Sequence, residues 1–474
     1  MTVSGSELPP DAHDDARRWQ SPQPNISGLG LIASYSARFW AIVIVLGISA
    51  GAGAAATIGL LHLTEHLTYG HHGPTLLSIV RQSPGWRRIV ALIGAAAIVV
   101  VGLRVLGRLP TGGSEVTEAI WTRSGRLDWL ASVARATLSI VTIGMGVSLG
   151  REAAPQLFGA ATASTVATWA KLPTWQRRLL VASGAGAGFA AVYNVPLGGT
   201  LLALEVMLGT LALPLVLPAL LMSVTATATA WIFLGTRPTY RVGAYAFHPS
   251  QLAFAVLMGP VIGLAGVCWT RLISAANSAK PQRRGQWLAP FAAFGVLGLL
   301  SLQYPQLLGN GRDIVQLAIV AKLAVGVSLI LLLLKPLVTA ACVASGSPGG
   351  LFTPTFAIGV LLAGAFGHLW AHVWPGAEVG SYALIGGGAF LAAAMQGPLA
   401  GAVLVLELTR NFDALMVPTL IAVVEATILS RRLGAASIYS ARLGPSAASS
   451  TSNAAAVAVI LALDESLPVR DSEP

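Results

Sequence analysis

Three Gly-rich segments interrupt apolar stretches of this sequence, and each carries groups that bind ions. They are Gly112-Gly113-Ser114-Glu115, Gly150-Arg151-Glu152-Ala153-Ala154-Pro155 and Gly346-Ser347-Pro348-Gly349-Gly350-Leu351-Phe352-Thr353-Pro354. The first offers a hydroxyl and backbone amides, the second an acid beside a base, and the third chiefly backbone amides. A helix that begins at such a break directs free N–H groups and a positive dipole end towards it. This arrangement favours an anion as ligand.

A second constellation points to different chemistry. His62-Leu63-Thr64-Glu65-His66 matches the H-x-x-E-H pattern of some zinc peptidases, in which two histidines share a helix face and the glutamate acts as general base. A polar, His-rich helix end is also typical of a membrane interface. No third ligand follows at a recognisable spacing. A membrane zinc hydrolase is therefore only a rival hypothesis, and we expect neither a metal site nor an enzyme.

The composition identifies the surroundings that must position these residues. Of 474 residues, 54% are hydrophobic and only 10% are charged, whereas soluble domains carry about 25% charged residues. A soluble globular protein is excluded. The net charge of +10 arises partly from arginine pairs at the ends of apolar runs, which are typical membrane anchors, so no nucleic-acid partner is expected.

Long uncharged runs give the fold class. Runs without Asp, Glu, Lys or Arg cover residues 179–204, 206–236, 242–270, 286–311, 336–377 and 379–406. Each exceeds the roughly 20 residues that cross a bilayer. Because only helices or closed barrels satisfy their backbone in lipid, the sequence predicts an all-α polytopic membrane protein with well over ten intramembrane helices.

An internal repeat divides the chain. The segment Ala190–Gly199 recurs as Ala392–Gly401, and the match extends to Glu205 and Glu407. Matching Gly-to-Pro breaks precede both copies, and transporters built from two halves often bind substrate on such broken helices at the interface between the halves. Glycines alone also serve close helix packing. We predict a polar tail at 1–36, membrane repeats at 37–236 and 237–443, and a short tail at 444–474.

The acids in these segments receive different interpretations. Glu152 is an ionisable residue at predicted membrane depth and is a functional candidate for that reason. A structural ion pair with Arg151 is the competing interpretation, but adjacent residues on a helix do not face each other. Glu205 and Glu407 occur in both halves, where a single ion path is expected. We therefore assign these two acids a structural role, binding backbone groups or neighbouring helices.

The combined motifs resemble the CLC family of chloride channels and proton-coupled chloride exchangers. The family patterns GSGIP, GREGP and GxFxP are similar to the segments beginning at Gly113, Gly150 and Gly350, and the family's late tyrosine matches Tyr439. The likeness extends from about residue 37 to 442. It implies two inverted-topology repeats, a homodimer with one pathway in each subunit, and no cofactor.

The resemblance also implies the site. Chloride would be held by the hydroxyls of Ser114 and Tyr439 and by the amides of Leu351 and Phe352, all neutral donors that bind an ion without trapping it. Glu152 would be the gate and proton acceptor on the external side. The anion-binding set implied by the motifs is Gly113, Ser114, Gly150, Arg151, Gly350, Leu351, Phe352 and Tyr439.

The sequence departs from the family pattern at several positions. Glu115 and Thr117 replace the glycine and proline of GSGIP, and GREGP becomes GREAA. Proton-coupled members typically carry a second glutamate directly after the position of Glu205, where this chain has Val206. A passive chloride channel and a chloride/proton exchanger therefore both remain open. Ser114 argues against the fluoride-exporting branch, nitrate stays an alternative, and the short tails favour a bacterial-type inner membrane.

Overall fold

The computed structural model describes residues 35–71, 73–109, 115–281 and 285–442. The predicted tail 444–474, nearly all of the tail 1–36, and the residues Gly113 and Ser114 lie outside these ranges. Within them the fold is helical, with seventeen α-helices and no strand. The predicted fold class is confirmed.

The first half contains nine helices within the described ranges. They are α1 Ala37–Tyr69, α2 Leu76–Gln82, α3 Gly85–Leu106, α4 Val116–Thr122, α5 Trp129–Gly144, α6 Ala153–Trp169, α7 Thr174–Tyr193, α8 Pro196–Leu201 and α9 Leu213–Leu234. Helix α8 continues as a π-helical turn over Leu202–Leu208.

The second half repeats this order with eight helices. They are α10 Pro249–Ser278, α11 Gly285–Gln303, α12 Arg312–Ile319, α13 Val325–Ala344, α14 Phe352–Val373, α15 Val379–Met395, α16 Pro398–Thr409 and α17 Phe412–Arg432. Single 3-10 turns lie at Pro305–Leu307 and Ser440–Arg442. Apart from α2, each helix of the first half has a counterpart of similar length in the second, as the sequence repeat predicts.

Eight of the described helices are long and apolar enough to cross a membrane. They are α1, α3, α9, α10, α11, α13, α14 and α17. Four further apolar segments of 10–17 residues, α5, α8 with its π turn, α15 and α16, are shorter. The protein is thus a multi-pass integral membrane protein.

Two of the uncharged runs, 179–204 and 379–406, are not continuous helices. Helix α7 ends where Asn194 adopts a left-handed conformation (φ 58°), and α8 begins at Pro196. The second half repeats this break with Gln396 (φ 60°) and Pro398. A residue in the left-handed conformation commonly ends a helix. Proline is well tolerated at the first position of a helix, because the N–H that it lacks would have no partner within the helix there.

The two halves cap each other's broken helices. The carboxylate of Glu407 accepts the N–H groups of Leu197 (3.1 Å) and Gly198 (2.6 Å) at the start of α8. The carboxylate of Glu205 accepts those of Leu399 (3.1 Å) and Ala400 (2.6 Å) at the start of α16. The predicted structural role of both glutamates is confirmed.

Candidate anion site

The carboxylate of Glu152 lies among three hydrogen-bonding groups. One oxygen accepts the backbone N–H of Phe352 at 2.7 Å. The other accepts the hydroxyls of Tyr193 at 3.1 Å and Thr353 at 3.2 Å. Only 1% of Glu152 is exposed. The two hydroxyl oxygens also lie 2.6 Å apart and are hydrogen-bonded to each other, with either one as the donor. The amide and the hydroxyl pair form a set of neutral groups that could bind another small anion.

Two helix starts create this arrangement. Glu152 directly precedes α6, and Phe352 is the first residue of α14, so its N–H has no partner within its own helix. Gly350 allows the close approach, because a Cβ on this residue would overlap the Glu152 carboxylate. A Cβ on Gly150 would overlap the same carboxylate.

A cavity of about 70 Å³ adjoins Glu152, and we call it the Tyr439 cavity. Four of the predicted site residues line it, namely Glu152, Gly350, Leu351 and Tyr439. Its wall also contains Glu115, the first described residue after Ser114. The volume is well above the roughly 15 Å³ that a buried water needs.

The remaining predicted site residues are placed as follows. Phe352 contributes its N–H to Glu152, and Gly150 exchanges backbone hydrogen bonds with Gly350. The guanidinium of Arg151 lies over the ring of Tyr193, 5.3 Å from its centroid. Arg151 lines a different cavity from the one beside Tyr439.

This second cavity, of about 40 Å³, we call the Arg151 chamber. Its residues come from the end of α1, the loop before α2, and the start of α12; they include His62, Glu65, Arg151, Asn310, Arg312 and Asp313. Among the described residues no group of three His, Cys, Asp or Glu side chains is arranged to hold a metal. The H-x-x-E-H segment thus forms part of a charged chamber.

Sequence reasoning missed two residues that bind Glu152, and it also missed a buried lysine elsewhere in the fold. Tyr193 and Thr353 bind the Glu152 carboxylate. Each lies in a segment that the motifs identified, but neither was predicted as a site residue. Lys335 is fully buried, and its Nζ donates to Ser148 Oγ at 2.8 Å and to the carbonyl oxygen of Gly309 at 2.8 Å. A lone lysine inside an apolar helix was the available signal.

Comparison with known proteins identifies the family. The family described as Voltage gated chloride channel matches residues 95–431, most of the chain. The chain belongs to the voltage-gated chloride channel family. The resemblance to CLC proteins drawn from the motifs is therefore confirmed.

Named relatives within this CLC family include both exchangers and channels. The H(+)/Cl(-) exchange transporter ClcA of Yersinia pestis bv. Antiqua (strain Angola) is 30% identical over 374 residues, covering 75% of this chain and 77% of the relative. The voltage-gated ClC-type chloride channel ClcB of Citrobacter koseri is 29% identical over 408 residues, covering 84% and 97%. The two names differ on proton coupling.

Solved structures of CLC proteins share the fold. A slow cyanobacterial Cl-/H+ antiporter superposes with a TM-score of 0.78 at 22% identity, covering 88% of this chain and 99% of the other. A CLC-type fluoride/proton antiporter gives a TM-score of 0.69 at 19% identity, covering 85% and 97%. At these identities the likeness supports the fold alone.

Proposed function

We propose that this protein moves chloride across the membrane along a path through the Arg151 chamber, the seat of Glu152 and the Tyr439 cavity. The seat of Glu152 is the position of its carboxylate beside the Phe352 N–H and the hydroxyls of Tyr193 and Thr353. The observation that carries the proposal is the Glu152 carboxylate bound to the Phe352 N–H at the start of α14. A carboxylate in that seat is an anion already in place. Chloride reaches the same donors only when the carboxylate leaves.

Protonation is the event that releases Glu152. A neutral carboxyl group loses the charge-assisted part of its hydrogen bonds to Phe352, Tyr193 and Thr353, which is about half of their strength. Chloride then gains the Phe352 N–H and the hydroxyl pair of Tyr193 and Thr353. Moving a bare ion into a low-dielectric interior otherwise costs tens of kcal/mol, so this replacement of its water shell is required.

In the Tyr439 cavity we assign the ion to the hydroxyl of Tyr439 and the amide of Leu351, and the family resemblance adds the hydroxyl of Ser114, which lies outside the described residues. Support comes from the cavity wall, which Leu351 and Tyr439 share with Glu152. Glu115, directly after Ser114, lines the same wall. Neutral donors keep ion binding weak enough for release.

The route of the proton follows from the acids present. Val206 offers no carboxyl group, and both oxygens of the neighbouring Glu205 accept backbone N–H groups of α16. We therefore propose that the proton reaches Glu152 from the Arg151 chamber, which we assign to the external side. Transfer of that proton across the membrane in the direction opposite to chloride would make the protein an exchanger.

Reconstitution into liposomes with simultaneous recording of chloride and protons tests this proposal. Chloride movement is expected, and it should become pH-independent in Glu152→Gln. A fixed ratio of protons to chloride identifies an exchanger, and chloride movement alone identifies a channel. The absence of any chloride movement in wild-type vesicles would contradict the proposed function. Replacing chloride by fluoride or nitrate in the same vesicles measures anion preference.

We further propose a homodimer in a lipid bilayer, each subunit with its own path. Large apolar side chains are exposed on four neighbouring helices, with examples at Leu197 on α8, Leu217 on α9, Leu399 on α16 and Leu420 on α17. Lipid or a second copy of the chain would cover such a face. Size-exclusion chromatography with light scattering in detergent checks the oligomeric state.

A further inference from the structure

Two polar side chains in the Tyr439 cavity lack the partners that buried polar groups normally have. Ser139 is 2% exposed and Gln156 is 6% exposed, and both line the cavity beside Glu152 and Tyr439. Within the described ranges neither the Ser139 Oγ nor the Gln156 Nε2 forms a hydrogen bond. More than nine in ten buried polar groups are bonded, so this pair needs an explanation.

Their positions in the fold place both groups beside the ion path. Gln156 follows Glu152 by four residues at the start of α6, and side chains at that spacing share a helix face. Ser139 belongs to α5, a different helix of the same half. Leu351 reaches the cavity from the second half. The cavity therefore receives donors from both halves.

Three charged residues line the cavity around these two groups, namely Arg135, Glu115 and Glu152. The closest atoms of the first two, Arg135 Nη2 and Glu115 Oε1, lie 3.5 Å apart as an ion pair. The side-chain amide of Gln156 presents N–H donors, and the Ser139 hydroxyl donates one bond. A small monovalent anion meets such donors without having to displace a carboxylate.

We propose that Gln156 Nε2 and Ser139 Oγ are further ligands of the transported anion in the Tyr439 cavity. This inference rests on the proposed function, because it adds donors to the same ion position. Together with Tyr439 and Leu351 they surround the ion with neutral groups from several directions. The number and spacing of these donors then help to set which anion binds best.

Bromide binding measured by calorimetry on the purified full-length protein tests the inference. Ser139→Ala and Gln156→Leu should each weaken bromide binding about tenfold, the value of one hydrogen bond to a charged group. Ser132→Ala is the matched control, because Ser132 is equally buried on α5 and its hydroxyl also forms no hydrogen bond in the described ranges, yet it lies outside the cavity. Its affinity should equal that of wild type.

The outcomes separate this inference from the proposed function. If Tyr439→Phe weakens bromide binding while Ser139→Ala and Gln156→Leu leave it unchanged, the two extra ligands are refuted and the ion site stands. If wild-type protein binds no bromide, the ion site itself fails. If a variant folds poorly, anomalous diffraction from bromide-soaked crystals of the wild-type protein gives an independent test. A bromide peak more than 5 Å from both Ser139 Oγ and Gln156 Nε2 would also refute the assignment, because 5 Å is about twice a hydrogen-bond length.

The Arg151 chamber independently supports a second site. Arg151 is only 8% exposed, and its Nε forms no hydrogen bond in the described part of the chain. The Nδ2 of Asn310, which lines the same chamber, likewise forms no hydrogen bond within the described residues. The Arg312 guanidinium donates to the carbonyl oxygen of Thr239 at 3.2 Å.

The acids of this chamber do not pair with its arginines. Asp313 accepts the N–H of Leu77 at 2.8 Å, and Glu65 lies on the chamber wall. Neither acid comes within 4 Å of an arginine nitrogen among the described residues, where the ion pairs are Arg123–Glu118 and Arg135–Glu115. Glu65 and Asp313 attract Arg151 only across this longer distance. The nearly buried guanidinium therefore has no carboxylate in direct contact, which is costly. His62, which is exposed, also lines the chamber.

We infer that the chamber binds a monovalent anion between Arg151, Arg312 and the Asn310 amide, before that anion reaches the seat of Glu152. Bromide-soaked crystals should show an anomalous peak there. The peak should vanish in Arg312→Gln and in Asn310→Ala, and should strengthen in Glu65→Gln because a like charge is removed. Arg241→Gln, at an exposed arginine outside the chamber, should leave the peak unchanged. An empty chamber in wild type, or a peak that survives both donor variants, would overturn this site.

Discussion

Gly150 and Gly350 exchange two backbone hydrogen bonds, each 2.7 Å long, in an isolated antiparallel bridge between the two halves of the protein. Each residue closely precedes a helix start, α6 in one half and α14 in the other. The bridge therefore holds the Glu152 carboxylate at the amino end of the opposite half's helix. The seat of the carboxylate belongs to neither half alone.

Glu152→Gln should abolish the pH dependence of chloride flux. The amide keeps the shape of the carboxylate but replaces charge-assisted bonds by neutral ones, which removes about 1–2 kcal/mol from the closed state, or roughly tenfold in its population. In wild type, chloride flux should rise as pH falls, because protonation of Glu152 removes the same charge-assisted hydrogen bonds from the closed state. Flux assays in liposomes between acidic and neutral pH measure this. An unchanged pH response in the variant would remove Glu152 from the gate.

Gly350→Ala should displace the Glu152 carboxylate from the Phe352 N–H without changing any titrating group. The added Cβ would occupy the position of a carboxylate oxygen. We expect a pH profile as flat as that of Glu152→Gln. Gly326→Ala in α13 is the control, because a Cβ there meets no atom within 4 Å. A wild-type profile in Gly350→Ala would mean that the seat tolerates the methyl group.

Tyr439→Phe should weaken anion binding by about tenfold or more, since a hydrogen bond to a charged group contributes about 1.5–3 kcal/mol. Ser114→Ala should have an effect of similar size. Calorimetric titration of chloride into each purified variant gives the affinity. Affinities equal to that of wild type would show that these hydroxyls do not bind the ion.

Glu205→Gln and Glu407→Gln should destabilise the protein to a similar extent, because each carboxylate caps a helix of the other half with two backbone N–H groups. Loss of a helix cap costs about 0.5–2 kcal/mol. Thermal unfolding in detergent reports the change. Glu118→Gln, which breaks a half-exposed pair with Arg123, should cost less. A large difference between Glu205→Gln and Glu407→Gln would contradict equivalent roles.

Lys335→Met should lower the thermal unfolding temperature strongly. The Nζ donates to Ser148 Oγ and to the carbonyl oxygens of Leu307 and Gly309, and removal leaves three buried acceptors without this donor. Each unsatisfied group costs about 1–3 kcal/mol. Lys322→Met, at an exposed lysine, should be nearly neutral. Equal unfolding temperatures for the two variants would show that the buried amine contributes nothing.

The amino-acid sequence alone determined the membrane class, the repeat and the breaks. Low charge and long apolar runs report contact with lipid, because each charged residue in a bilayer is costly. The repeated glycines and prolines located the helix interruptions, and the recurrence of Glu205 and Glu407 indicated their structural role. These features are local, so they can be read along the chain.

Only the tertiary structure decided which groups meet. Tyr193 and Thr353 lie 41 and 201 residues from Glu152, and no sequence pattern pairs them with it. The division between the Tyr439 cavity and the Arg151 chamber is likewise invisible in sequence. Lipid selects apolar residues on every helix alike, whereas an ion site depends on where helix ends from two distant segments come together. Helix packing fixes that meeting point. It places the Glu152 carboxylate beside the hydrogen-bond donors that an anion needs.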